Sequence, residues 1–125
     1  MIKLILASIF FYLCMITYCY AGWFEPFDKY DYAGQAVVTG LLITDFGQTK
    51  YASEHPNLYY ETNPILGKHP SVGKVELYFA SWIVADALVS YALPKPWRTL
   101  WQLGTIGVEV AVIQNNYRLK VGWSF

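Results

Sequence analysis

Residues 32–49 read YAGQAVVTGLLITDFGQT, and the one charge in this run is Asp45. Gln35, Val38, Leu42, Asp45 and Thr49 recur at spacings of 3 and 4, the signature of one helix face. A helix over about 32–53 is predicted. Ala36, Gly40 and Thr44 lie four apart on it, a small-residue stripe of the kind that lets a second helix come close.

Three further stretches share this character: 4–20, 77–93 and 99–117. Together the four hold three charges, Asp45, Asp86 and Glu109, although the 125-residue chain has nine Lys+Arg and nine Asp+Glu. A bilayer imposes such segregation, because a charge near its centre costs ~3 kcal/mol or more. Each stretch is short of the roughly 20 residues that span a bilayer core. Flanking Tyr and Trp can sit at the interface and extend it.

Composition agrees. Hydrophobic residues make up 55% and charged residues 14%, against ~25% charged in soluble domains. An aromatic content of 18% excludes intrinsic disorder. A net charge of zero excludes an electrostatic nucleic-acid binder. The fold expected is all-α: a small integral membrane bundle of three helices, about 32–53, 72–93 and 97–116, with a polar central loop at 54–71. The partners expected are the lipid bilayer and either another protein or further copies of the chain.

The first stretch differs from the others. Lys3 precedes an apolar run from Leu4 to Tyr20, and Cys19-Tyr20-Ala21-Gly22 offers a small-x-small cleavage pattern. Residues 1–21 are read as a signal peptide cleaved after Ala21, with a retained fourth helix as the alternative. Cys14 and Cys19 lie within it, so a mature chain has no disulfide framework. Residues 22–31 read as an interfacial segment, with Trp23, Phe24 and Phe27 at headgroup level and Glu25, Asp28 and Asp31 in water.

Pro94-Lys95-Pro96 is a stop-and-turn between the second and third helices. Trp97 and Trp101 are expected to anchor the third helix at the interface. On it Gln102, Thr105, Glu109 and Asn116 share one face, and Gly107 with Ala111 forms a second close-approach pair. Lys50, Lys68, Lys74, Arg118 and Lys120 fall on one side against Lys29, Lys95 and Arg98 on the other. That balance favours a bacterial inner membrane with the central loop and C-terminus in the cytoplasm. Tyr117, Leu119, Val121, Trp123 and Phe125 alternate with polar or small residues, a pattern also found at the end of outer-membrane barrels. The runs Ala36–Ile43 and Ala80–Leu93 do not alternate, which argues against a barrel. The tail is then a short amphipathic strand or an interfacial segment.

Acids inside such helices need a reason. Helix counting brings Asp45, Gln48, Glu76, Glu109 and Asn116 to one level, with Asp86 deeper. They form either a polar cavity facing the loop or a set of interhelical hydrogen bonds. The loop adds His55, Glu61, Asn63 and His69. His55, Glu61 and His69, with Asp45 or Glu109 as a further oxygen donor, suffice in number for zinc or iron, but their spacing matches no known ligand motif. No nucleophile elbow, Walker or dinucleotide glycine pattern is present.

The strings Asp45-Phe46-Gly47-Gln48-Thr49 and Glu61-Thr62-Asn63-Pro64-Ile65-Leu66-Gly67-Lys68-His69-Pro70-Ser71, followed by Tyr78-Phe79 and Thr105-Ile106-Gly107-Val108-Glu109, resemble a group of small membrane proteins of bacteria and their phages. The likeness covers about 45–125. It implies the membrane fold and no particular activity, and it suggests that Gln48, Glu61, Asn63, His69 and Glu109 belong to one site. Three functions follow as expectations. The first is an interaction or structural module of the cell envelope, phage-derived in some members. The second is a membrane-embedded enzyme or metal-binding protein with its site at the central loop. The third is a holin-like pore former.

Overall fold

The computed structural model describes residues 24–125 together with Phe11 and Leu13. The expected leader at 1–21 otherwise lies outside the described residues. Three helices follow in order: α1 Lys29–Glu54, α2 Val72–Ala92 and α3 Lys95–Arg118. No strand occurs among the described residues. At 1.5 Å per residue the helices are about 39, 32 and 36 Å long.

α1 starts three residues before its expected position because Asp28 caps it. The Asp28 carboxylate accepts from the amides of Tyr30 (2.8 Å) and Asp31 (2.9 Å), and Asp31 accepts from the Asp28 amide (3.0 Å). This reciprocal box satisfies donors that a helix start otherwise leaves unpaired. Ser71 caps α2 through the Lys74 amide. Only Leu93 and Pro94 separate α2 from α3. The proline φ suits the start of a helix and ends α2 at the same time.

α1 is the central element and packs along both α2 and α3, which touch each other far less. The apolar core is small. Val75 and Phe79 of α2 cluster with Leu66 of the loop, with Phe46 and Tyr78 packed against them, and Val38 and Leu42 of α1 are buried elsewhere along the bundle. The rest of the interior is polar: Asp31, Asp45, Gln48, Thr49, Asp86, Ser90, Arg98, Gln102 and Glu109 are all buried. Outside, Val37, Ile43, Leu77, Val84, Leu88, Leu100, Leu103 and Val108 are exposed. Averaged along its length, no helix of the described residues is long and apolar enough to cross a membrane.

Several expectations need correction. Asp31 is not in water: it is 3% exposed and pairs with Arg98 at 2.8 Å. Among the described residues nothing packs at the Gly40 position of the stripe Ala36-Gly40-Thr44; a Cβ built on Gly40 meets nothing within 4 Å, and the same holds for Gly107. The close approaches occur at other glycines. A Cβ on Gly34 would stand 2.4 Å from Gln102 Oε1, and one on Gly47 would stand 2.8 Å from the Phe125 ring. The alternating tail is not a strand. It turns back at Lys120, which has a φ of 58°, buries Val121, sets Gly122 against Tyr51 and donates from the Ser124 amide to the Gly47 carbonyl at 3.0 Å. The tail thus packs across the C-terminal half of α1 at Gly47 and Tyr51.

Candidate functional site

The buried polar groups form tiers along the bundle. The first tier sits where the chain enters α1 and turns from α2 to α3. Arg98, fully buried, donates Nη1 to Asp31 (2.8 Å), Nε to the Ser90 carbonyl (2.8 Å) and Nη2 to the Glu25 carbonyl (2.6 Å), with its guanidinium over the Phe27 ring. One side chain therefore ties the entry segment, α1, α2 and α3 together. Its planar fork makes this possible, since Lys could not serve four groups lying in these directions. Beside it Lys95 pairs with Asp28.

The second tier centres on Asp86. Its carboxylate accepts from Gln35 Nε2 (2.8 Å) and Trp101 Nε1 (2.7 Å). Gln102 Nε2 donates to the Asp31 carbonyl (3.1 Å). Asp86 thus works as an interhelical bridge. Trp101 turns its indole nitrogen to Asp86.

Glu109 lies between this tier and the next. It is 7% exposed, and its Oε2 has no hydrogen-bond partner among the described residues. It lines an open apolar groove between α2 and α3, with Trp82, Leu100, Trp101, Gly104 and Val108.

The third tier joins the ends of α1 and α3. Asn116 Nδ2 donates to Asp45 Oδ1 (3.3 Å) and Gln48 Oε1 (3.1 Å), and Thr49 Oγ1 donates to the same Asp45 oxygen (3.2 Å). Gln48 is fully buried, and its Nε2 has no partner among the described residues. Above this tier lies a cavity of about 310 Å³, lined by Gln48, Thr49, Tyr59, Tyr60, Glu61 and Asn116 among others. The Val121 end of the tail closes one wall. Tyr59 pins the tail by donating its hydroxyl to the Lys120 carbonyl (2.9 Å).

The predicted residues divide among these places. Asp45, Gln48 and Asn116 do form one cluster. Glu61 faces the cavity above it, and its Oε1 accepts from the amides of Thr62 and Asn63. Asn63 is a loop builder: its Oδ1 accepts the Ile65 amide and its Nδ2 donates to the Tyr78 hydroxyl (2.8 Å). His69 is exposed beside a small cleft near Glu61. His55 stacks on Tyr51 and bonds its carbonyl through Nδ1 at 2.8 Å. Glu76 leaves the cluster for the surface, where it pairs with Lys50 at 3.1 Å. Among the described residues no group of three His, Cys, Asp or Glu is placed to hold a metal ion. Zinc or iron at His55, Glu61 and His69 therefore has no assembled ligand set there.

Comparison with protein-family models, curated proteins and solved structures finds no match. Arg98 is the residue of the polar seam that its sequence position does not announce. By residue type alone Arg98 reads as a topology charge. Its place after a proline turn, one helical turn before Gln102 on the same face, is the signal that could have found it.

Proposed function

We propose that this chain is a small helical protein of the bacterial cell envelope that sits in a membrane and serves as an interaction or structural module. The observation that carries the reading is the inversion of polarity. Charged and amide side chains fill the interior while Val84, Leu88, Leu103 and Val108 face outward. In water such outer faces are a liability; against lipid they are the correct surface, and buried acids and amides then act as links between helices. Averages along each helix include these inward groups, so they understate how apolar the outer faces are. The helices are long enough for a hydrocarbon core of about 30 Å. Bilayer contact and a cytoplasmic loop and C-terminus belong to this reading.

Uncovered small residues support the interaction half. Among the described residues Gly40 on α1 and Gly107 on α3 leave open surface where a neighbouring helix, from a partner or another copy, can approach. A phage or bacterial origin rests on the sequence resemblance alone. The test is extraction of cell membranes with alkaline carbonate. Retention of the chain in the pellet, with release by mild detergent, is expected. Complete release by carbonate would remove the membrane reading.

A further inference from the structure

Among the described residues the open groove between α2 and α3 is lined by one ionisable side chain, Glu109. This residue is 7% exposed. Its Oε2 is enclosed and has no hydrogen-bond partner, while its Oε1 is not enclosed and receives no hydrogen bond among the described residues. Asp45 of α1 and Asp86 of α2 are the charged groups that act on it. No Lys, Arg or His lines the groove. Ionised, the carboxyl lacks a counter-charge; protonated, it lacks an acceptor for its hydrogen. A buried polar group in either state is costly, and a native structure keeps few of them.

The walls say what completes it. Trp82 and Trp101 stand together at one end, ring centroids 6.5 Å apart, and Trp101 is held there by its bond to Asp86. Glu109 follows Trp101 by two helical turns, about 12 Å along α3 on the same face. Leu100 and Val108 keep the wall of this groove apolar, and its volume of about 370 Å³ admits a phenyl ring with a short alkyl chain. A metal ion finds too few oxygens here. An anion meets three carboxyls and no cation. A neutral hydroxyl brings a hydrogen bond without a charge. An organic ammonium brings both, and the tryptophan faces attract it.

We propose that the α2–α3 groove is a binding site for a hydrophobic organic ammonium, its nitrogen on the Glu109 carboxylate and its apolar or aromatic body running toward Trp82 and Trp101. Where Glu109 holds a proton beforehand, that proton leaves to water as the ammonium arrives, so the occupied site is a neutral ion pair. Proton and ammonium therefore compete, and affinity rises with pH. The site is independent of whether the outer faces meet lipid.

The test uses the full chain in a nonionic detergent and three matched probes: phenylbutylammonium, phenylbutanol and phenylbutanoate. Indole resonances of Trp82 and Trp101 are followed by ¹⁵N NMR. The ammonium is expected to shift them saturably at about pH 8 and to bind about tenfold or more weaker at about pH 5. The alcohol and the carboxylate are expected to bind about tenfold or more weaker than the ammonium at the higher pH. Glu109→Gln keeps the shape without the charge. It is expected to weaken the ammonium about tenfold or more and to abolish the pH dependence. Gly104→Phe narrows the groove from a position where an added Cβ meets nothing within 4 Å. It leaves Glu109 in place and is expected to weaken the ammonium by a similar factor. That variant carries the test if Glu109→Gln does not fold. Equal or tighter binding of the alcohol or the carboxylate, absence of any indole shift at millimolar ammonium, a pH-independent affinity, or full ammonium affinity in either variant would each overturn the proposal.

Discussion

Replacing Arg98 by Met should be among the most damaging single changes in this chain. The substitution roughly keeps the length of the side chain and removes three charge-assisted hydrogen bonds, to Asp31, the Ser90 carbonyl and the Glu25 carbonyl. Asp31 is left as a buried carboxylate, since it is 3% exposed. Breaking a buried pair from one side costs about 3–5 kcal/mol. The two carbonyls each lose a donor, and an orphaned buried acceptor costs about 1–3 kcal/mol. These terms overlap, because the entry segment can relax once released, so about 4–6 kcal/mol in total is a reasonable expectation. At 1.4 kcal/mol per decade that is roughly a thousandfold or more in the folding equilibrium. The assay is unfolding in mild detergent followed by tryptophan fluorescence, with the Asp31→Asn and double variants completing a cycle. The double variant should recover part of the loss, because no unpaired charge remains. Loss of under about 1 kcal/mol for Arg98→Met, the level of an exposed pair, would refute the claim that this arginine clamps the bundle end.

Four more outcomes follow. Gly34→Ala should destabilise by about 1–3 kcal/mol, because its Cβ displaces the Gln102 amide from the Asp31 carbonyl; thermal melts check it, and a neutral result would contradict the contact. Gly40→Ala meets open space and should stabilise the isolated bundle by about 0.5–1 kcal/mol through helix propensity, while weakening any helix association through that stripe, as read by cross-linking. The Lys95 side chain and then the Asp31 amide hold the Asp28 carboxyl down at about 2, from a usual 3.8. A lowered pKa stabilises the fold at pH above 3.8, and that contribution is lost as pH falls toward 2; the stability gap between the wild type and Asp28→Asn should close over this window. Asn63→Ala removes the Ile65 and Tyr78 bonds and should cost about 1–2 kcal/mol, with the loop gaining protease sensitivity; unchanged stability and cleavage would count against its role as a loop builder.

Much of the architecture could be read from the sequence because period and punctuation agree. The α1 face Val38-Leu42-Asp45-Thr49 and the α3 face Gln102-Glu109-Asn116 are the faces that meet. Ser71 and Pro94 mark helix ends where they were expected. What the sequence hid was pairing over long separations. Asp31 looked like an interfacial acid because its partner lies 67 residues away. Small residues at i, i+4 marked possible close approaches, but which ones are used depends on what faces them. Gln102 and Phe125 fill the spaces at Gly34 and Gly47, and nothing fills that at Gly40. Likewise His55 and His69 read as ligands by type alone, and only geometry shows His55 committed to Tyr51 and His69 at the surface.

On the proposed membrane reading, outward apolar faces meet lipid and the polar seam does not. Nitroxide labels at Leu88 and Leu103, which are 63% and 60% exposed, test it in reconstituted bilayers by comparing collisions with oxygen and with a water-soluble nickel chelate. Higher oxygen than nickel accessibility at both positions, with a label at exposed Leu58 of the loop showing the reverse, is the predicted result. Nickel accessibility at Leu88 and Leu103 equal to that at Leu58 would contradict the account.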